Sequence, residues 1–170
     1  MNTSGIVSEA LAIQKIISEE LSVKASMPEK ISKVLKSLAD SLNVDEVLLY
    51  ATIDENYLEL MGQYQALNYK NNIRFDEGTI GGCAALKSVK LAVNLEKNIS
   101  LISVPIMRLH IVIGVFVAIK HNNSGFNDFQ IEETETLALP LIDLLSARIF
   151  EDYKNQIIKE KGIVVRNALH

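Results

Sequence analysis

Two amphipathic helices are predicted at the start of the chain. Apolar residues recur at intervals of three and four from Ile6 to about Leu21, which is the spacing of one face of an α-helix. The same spacing returns after Ser26, a suitable N-cap, and ends near Asn43. Each helix therefore has one apolar face to bury against a neighbouring element.

After these helices the pattern changes to that of strands. Six strands are predicted: residues 47–51, 57–63, a short one from Ile73 to Gly78, then 91–93, 101–108 and 111–120, with a short helix over 79–89. Only Leu109-His110 separates the last two strands, which predicts an antiparallel hairpin. The last strand is apolar on both faces, as expected of a central strand covered on both sides.

A long helix is predicted to close the chain. It begins near Phe129, after Asn127 or Asp128 as N-cap, and runs towards the C-terminus. Pro140 lies inside it and is expected to kink or divide it. Two helices, a meander of strands with one short helix, and a long helix indicate an α+β fold with helices layered on an antiparallel sheet.

The composition excludes several kinds of site. The 170 residues are 48% hydrophobic and 22% charged, which is typical of one globular domain. A single cysteine excludes an internal disulfide framework and multi-cysteine metal centres, and we expect no cofactor. The net charge of −4 gives no basic field for nucleic acid or anionic lipid.

Targeting signals are also missing from the pattern. The first ten residues show no basic segment followed by an apolar run, so a secretory signal is not expected. The longest apolar stretch, residues 111–119, is well short of the roughly 20 residues that span a bilayer. We therefore expect a cytoplasmic protein that contacts neither membrane nor nucleic acid.

Four segments in order resemble GAF domains. They are Phe75-Asp76-Glu77-Gly78-Thr79-Ile80-Gly81 followed by Leu91-Ala92-Val93, then Ser103-Val104-Pro105-Ile106, then Ile113-Gly114-Val115-Phe116, and finally Phe126 with Glu132, Glu133, Leu137 and Ala138. They are similar to the Glu-Gly-x-x-Gly turn, two core strands and the closing helix of that family, and the similarity spans about residues 28–149. Residues 104–108 and 132–139 most resemble the N-terminal sensory GAF domain of nitrogen-related enzyme I of the phosphotransferase system.

The resemblance implies a six-stranded antiparallel sheet with helices on both faces and long helices at both ends. It divides the chain into an N-terminal amphipathic helix (1–26), a GAF-like domain (27–150) and a C-terminal helical extension (151–170). Such domains usually form homodimers through their terminal helices, and they bind a small-molecule effector or nothing. The phosphotransferase likeness adds output domains of that system as expected partners.

One segment departs from the family pattern. Residues 94–100 are all that join the fourth and fifth strands, where GAF domains usually carry a longer, partly helical segment over the ligand pocket. A tight return is expected here instead, with little to form the walls that bury most of a ligand.

The glycine turn supplies the first candidate ligand-binding residues. Arg74, Glu77 and Thr79 flank it, and backbone N–H groups at a helix start can hold an anionic or amide ligand. In the alternative interpretation, which we favour, Arg74 and Asp76 point to solvent and Thr79 caps the helix.

Cys83, Ser103 and Tyr50 complete the candidate site. Cys83 lies near the start of the short helix, where a thiolate gains from the helix dipole. One branch of the GAF family reduces free methionine sulfoxide, but that branch relies on several cysteines. Cys83 is thus interpreted first as a packing residue. Ser103 and Tyr50 lie on core strands and could line a pocket or simply pack.

Three functions follow from these observations. The leading hypothesis is a non-catalytic sensory or regulatory module that binds a small metabolite, such as an amino acid or a 2-oxo acid, and dimerises through its terminal helices. The alternative is a ligand-free module for dimerisation or protein interaction. The third is an enzyme similar to the methionine-sulfoxide reductases, which the lone cysteine disfavours.

Overall fold

The computed structural model describes residues 3–22, 26–66 and 68–148. The helices are α1 (Thr3–Ser22), α2 (Met27–Leu42), α3 (Gly78–Leu86) and α4 (Asp128–Ala138), and residues 141–148 are helical again. The strands are β1 (Glu46–Asp54), β2 (Tyr57–Tyr64), β3 (Asn72–Arg74), β4 (Lys90–Asn94), β5 (Ile99–Arg108) and β6 (Ile111–Lys120). The predicted C-terminal extension, 151–170, lies outside the described residues, and the predicted boundaries at 26 and 150 stay predictions.

The six strands form one antiparallel sheet in the order β3-β2-β1-β6-β5-β4. The predicted α+β fold is therefore confirmed. The strand β6 is central and buried along nearly its whole length, as its two apolar faces predict. The predicted β5–β6 hairpin is also confirmed, and β1 and β2 pair as a second hairpin.

Helices cover the sheet on both sides, and each side has its own apolar core. One side carries α1, α2, α4 and residues 141–148, with Ile13 and Ile17 of α1 fully buried against α2. The other side, called the α3 face, carries α3 over Leu48, Tyr50, Val115, Val117 and Ile119. The apolar residues of β6 thus serve both cores, which places the sheet at the centre of the molecule.

Local signals decide where the helices begin and end. Ser26 occupies the N-cap position of α2, but its side chain makes no capping bond. The cap of α4 is Asn127, whose carboxamide oxygen accepts from Gln130 N at 2.8 Å while Gln130 Oε1 accepts from Asn127 N at 2.9 Å. This reciprocal pair satisfies two backbone donors at the helix start. Helix α4 ends at Ala138 and helical structure resumes at 141, so the division expected at Pro140 is confirmed.

The connection between β4 and β5 is the short return that the sequence predicts. Asn94 pairs with Ile99, and only residues 95–98 form the turn. All four residues of this turn are exposed. Among the described helices, none is long and apolar enough to cross a membrane.

Candidate functional site

The α3 face holds the site that the sequence predicts, and glycines set how closely α3 lies over it. Gly78 has φ +63, a conformation that side chains rarely adopt, at the turn into the helix. One turn later Gly81 is packed against the backbone carbonyl oxygen of Arg74, where a Cβ would clash severely. The missing side chain therefore lets α3 pack directly on the end of β3.

Three of the six candidate residues are buried at this face. Tyr50, Cys83 and Ser103 have no exposed surface. Tyr50 and Cys83 belong to the apolar cluster beneath α3, and Ser103 pairs with Val117 of the same cluster. The fold thus places residues from β1, α3 and β5 on one side of the sheet.

The Tyr50 side chain is packed inside the apolar cluster beneath α3. Its ring is completely buried, and its hydroxyl donates to the backbone carbonyl of Lys70 at 2.9 Å. Burial raises the pKa of Tyr50 to about 12, with a smaller contribution from Tyr69. The residue is therefore a neutral packing side chain that ties the segment before β3 to the sheet.

The Cys83 thiol is poorly suited to nucleophilic chemistry. Burial raises its pKa to about 12, against a small opposing effect of the Lys90 charge. The thiolate is the reactive form of cysteine, and at neutral pH this environment keeps the thiol protonated. The helix dipole invoked from the sequence does not overcome the loss of hydration.

Ser103 differs from its neighbours in having an unused polar group. Its Oγ is buried and has no hydrogen-bond partner among the described residues. A buried hydroxyl without a partner costs about 1–3 kcal/mol. Ser103 is thus a buried candidate whose hydroxyl is left without a hydrogen bond.

The other three candidates lie at the glycine turn. The two charged ones, Arg74 and Glu77, already have oppositely charged partners. Arg74 donates to both carboxylate oxygens of Asp76, at 3.0 and 3.2 Å. Glu77 accepts from Lys70 Nζ at 2.7 Å, and this hydrogen bond is the largest cause of its lowered pKa. The interpretation of Thr79 as the cap of α3 is wrong, because Glu77 occupies the N-cap position.

Of the six candidate residues, only Arg74 lines one of the four open grooves found on the described part of the chain, a groove of about 330 Å³ that it shares with Asp76 and Tyr57. Tyr50, Cys83 and Ser103 line none of the four. One of about 530 Å³ separates α4 from the end of α3 and β5. Across the described ranges of the chain, no group of three or more His, Cys, Asp or Glu side chains is placed to hold a metal ion.

A second surface that bears on function is formed by the terminal helices. The apolar side chains Val7, Leu11 and Leu139 are 54%, 60% and 60% exposed. They border a groove of about 350 Å³ between α1 and the break at Pro140. We call this the α1–Pro140 surface. The sequence pattern of α1 predicts its buried side. That the exposed Val7 and Leu11 of α1 border one groove with Leu139 is shown only by the structure.

No protein-family model matches the chain, and no curated protein sequence matches it either. Solved structures do. The GAF domain of a Coxiella burnetii phosphoenolpyruvate-protein phosphotransferase superposes with a TM-score of 0.66 at 18% identity, over 88% of this chain and 98% of that one. The corresponding Acinetobacter GAF domain gives 0.62 at 20% identity, over 79% and 90%.

Enzymes are among the matching structures as well. The free methionine-R-sulfoxide reductase of Neisseria meningitidis, solved with its substrate, gives a TM-score of 0.65 at 18% identity, over 79% of this chain and 86% of that one. The fold is therefore shared with GAF domains of phosphotransferases and with reductases. Together with the strand order and the helices on both sides of the sheet, these likenesses show that the chain has the GAF fold.

Proposed function

We propose that this chain is a non-catalytic regulatory module that assembles as a homodimer through its terminal helices and whose α3 face is a packed core without a ligand. The observation that carries the proposal is the filling of that face. Tyr50 occupies it, α3 lies directly on it, and the β4–β5 turn is too short to build a lid.

Two features oppose a reductase. The chain has one cysteine, so no second thiol of the same chain can form a disulfide with it. That cysteine is also buried, with its pKa raised to about 12. A thiol of this kind is inert in the folded protein.

The α1–Pro140 surface supports the homodimer. Val7 and Leu11 are exposed on α1, on a flank of the face that buries Ile13 and Ile17. Burying an apolar side chain of this size contributes about 1.5–3 kcal/mol. If two copies met at this surface about a two-fold axis, Val7 and Leu11 of both copies would be buried. The helices of the two copies would then form a bundle.

Sedimentation equilibrium of the wild type and of Leu11→Glu tests the homodimer. The charge at position 11 would be buried in the interface, so we expect association to weaken at least about 100-fold. Leu86→Glu is the matched control, because Leu86 is also helical and is 64% exposed. It should leave the mass unchanged. A monomeric wild type, or equal effects of the two substitutions, would overturn the proposal.

A second candidate function, metabolite sensing at the α3 face, is favoured by one observation. The buried Ser103 hydroxyl has no partner and could bond to an amide or carboxylate oxygen of a ligand. Thermal denaturation in the presence of amino acids, 2-oxo acids and cyclic nucleotides separates the two functions. The packed core predicts no rise in Tm. A rise that is lost in Ser103→Ala would establish the sensor instead.

A further inference from the structure

One edge of the sheet is open and apolar. The edge strand β4 pairs with β5 on one side, and in the described parts of the chain no strand lies on its other side. Leu91 and Val93 are 49% and 48% exposed, and Leu95 in the following turn is 74% exposed. Natural sheets usually protect such an edge with charges, proline or a bulge, yet β4 contains only Lys90 as a protecting residue.

Pro105 reveals which backbone groups of β4 point outwards. Proline has no N–H, so the pair Pro105–Val115 between β5 and β6 cannot be hydrogen-bonded. Hydrogen-bonded and non-bonded pairs alternate along antiparallel strands. In β5, therefore, residues 101 and 103 direct their backbone groups towards β4, and residues 100 and 102 direct theirs towards β6.

The alternation continues into β4. Lys90 and Ala92 pair with Ser103 and Leu101, so their backbone groups bond to β5. Leu91 and Val93 pair with residues 102 and 100, whose groups are directed to β6. The N–H and C=O groups of Leu91 and Val93 consequently point out of the sheet, into the open edge.

We propose that this edge is a second self-association site, at which β4 pairs antiparallel with β4 of a second copy about a two-fold axis through Ala92. In this register Leu91 faces Val93 of the other copy. Since both residues present their backbone groups outwards, the pair exchanges both hydrogen bonds, and symmetry doubles them. Their four apolar side chains meet on one side of the joined sheet.

In the same register, the charged groups of one β4 edge lie opposite neutral or oppositely charged groups of the other copy. Lys90 faces Asn94 of the second copy, so no like charges meet. Its diagonal neighbour is Glu96, which borders the same hollow of about 710 Å³ as Ala92 and Asn94. Diagonal neighbours on a sheet are within reach of long side chains. Neither Lys90 nor Glu96 makes an ion pair within residues 3–22, 26–66 and 68–148.

Because its backbone, apolar and charged groups all match those of a second β4 strand, the partner of this edge is a second copy of the chain. The paired segment is only five residues long, much smaller than a standard stable interface. The association is therefore weak and depends on protein concentration. It is also separate from the α1–Pro140 surface, which uses none of these residues.

Cysteine cross-linking tests the register. In the antiparallel non-bonded pair at the axis, the two Ala92 Cα atoms lie about 4.5 Å apart, within the range that a disulfide spans. In a Cys83→Ala background, Ala92→Cys should form a disulfide-linked dimer under mild oxidation. Asn94→Cys is the control, because four residues of strand separate the two copies of position 94 by about 14 Å. It should cross-link at least tenfold more slowly. Equal rates, or no linkage of Ala92→Cys, would overturn the proposal.

A proline at position 93 tests the hydrogen bonds. Val93→Pro removes only an outward N–H, and proline is tolerated on strand edges, so circular dichroism should show an intact fold. Added to Ala92→Cys, it should abolish cross-linking, whereas Val93→Thr, which keeps the N–H, should preserve it. Undiminished linkage with Val93→Pro would refute the pairing. Leu11→Glu should leave cross-linking unchanged, which separates this site from the helical dimer.

Discussion

The buried Cys83 thiol makes the stability of the fold depend on pH above neutrality. In the unfolded chain a cysteine has a pKa of about 8.5, whereas burial in the folded protein raises the Cys83 pKa to about 12. The folded state therefore keeps its proton where the unfolded state loses it. A state that binds more protons is disfavoured as pH rises, so the free energy of unfolding falls from about pH 8.5 upwards.

The size of the effect follows from the two pKa values. Between pH 7.5 and 9.5 the unfolded thiol goes from mostly protonated to mostly ionised, while the folded thiol stays protonated. Integrating this difference gives a loss of about 1.4 kcal/mol. Tyr50, whose pKa is also raised to about 12, adds to the decline only above the ordinary tyrosine pKa of about 10.

Urea denaturation of the wild type and Cys83→Ala at pH 7.5 and 9.5 measures the effect. The small cavity left by alanine lowers the free energy of unfolding equally at both pH values. Only the change in that free energy between pH 7.5 and 9.5, compared between wild type and variant, therefore reports the ionisation of the thiol. We expect the wild type to lose about 1.4 kcal/mol more than the variant. Equal losses would mean that the folded protein ionises Cys83 readily, which would remove the main argument against thiol chemistry.

Four further substitutions test the packing of α3, the cap of α4 and the contacts of the buried Lys120. Gly81→Ala should lower the free energy of unfolding by about 1–3 kcal/mol because its Cβ meets the Arg74 carbonyl, whereas Gly82→Ala, with open space around it, should raise it by about 0.5–1 kcal/mol; equal effects would refute the close approach of α3. Asn127→Ala should cost about 1 kcal/mol by removing the cap of α4, and an unchanged urea midpoint would contradict this. Lys120→Met should lower the free energy of unfolding by about 1–3 kcal/mol in the same assay, because the buried ammonium bonds to Gly125 O and Gln130 Oε1 and lies 4.4 Å from the ring centre of Phe126. An unchanged stability would show that these contacts do not stabilise the fold.

The repeating patterns of the chain predict most of the fold. The apolar spacing of α2 identifies the side that it buries, the two apolar faces of β6 identify it as central, and Pro140 marks the break after α4. These are local signals, and each depends on residues within a turn or two. The short β4–β5 return is likewise predicted by counting residues.

Contacts between distant residues account for what the sequence could not predict. Tyr50 bonds to Lys70, and His121 Nε2 lies 3.0 Å from a carboxylate oxygen of Glu46, which is 75 positions away. No spacing rule connects such pairs. The candidate residues were predicted as one set, but the sheet places Tyr50, Cys83 and Ser103 inside and leaves Arg74 and Glu77 in surface ion pairs.

The solution mass of the chain at low micromolar concentration distinguishes a helical homodimer from a monomer. At this concentration the short β4 edge is too small to hold copies together, so only the α1–Pro140 surface contributes. We expect the wild type to have twice the 18.9 kDa mass of the chain, and Leu11→Glu to have the mass of a single chain. A wild type that sediments at 18.9 kDa would contradict the claim that this GAF fold acts by assembling through its terminal helices.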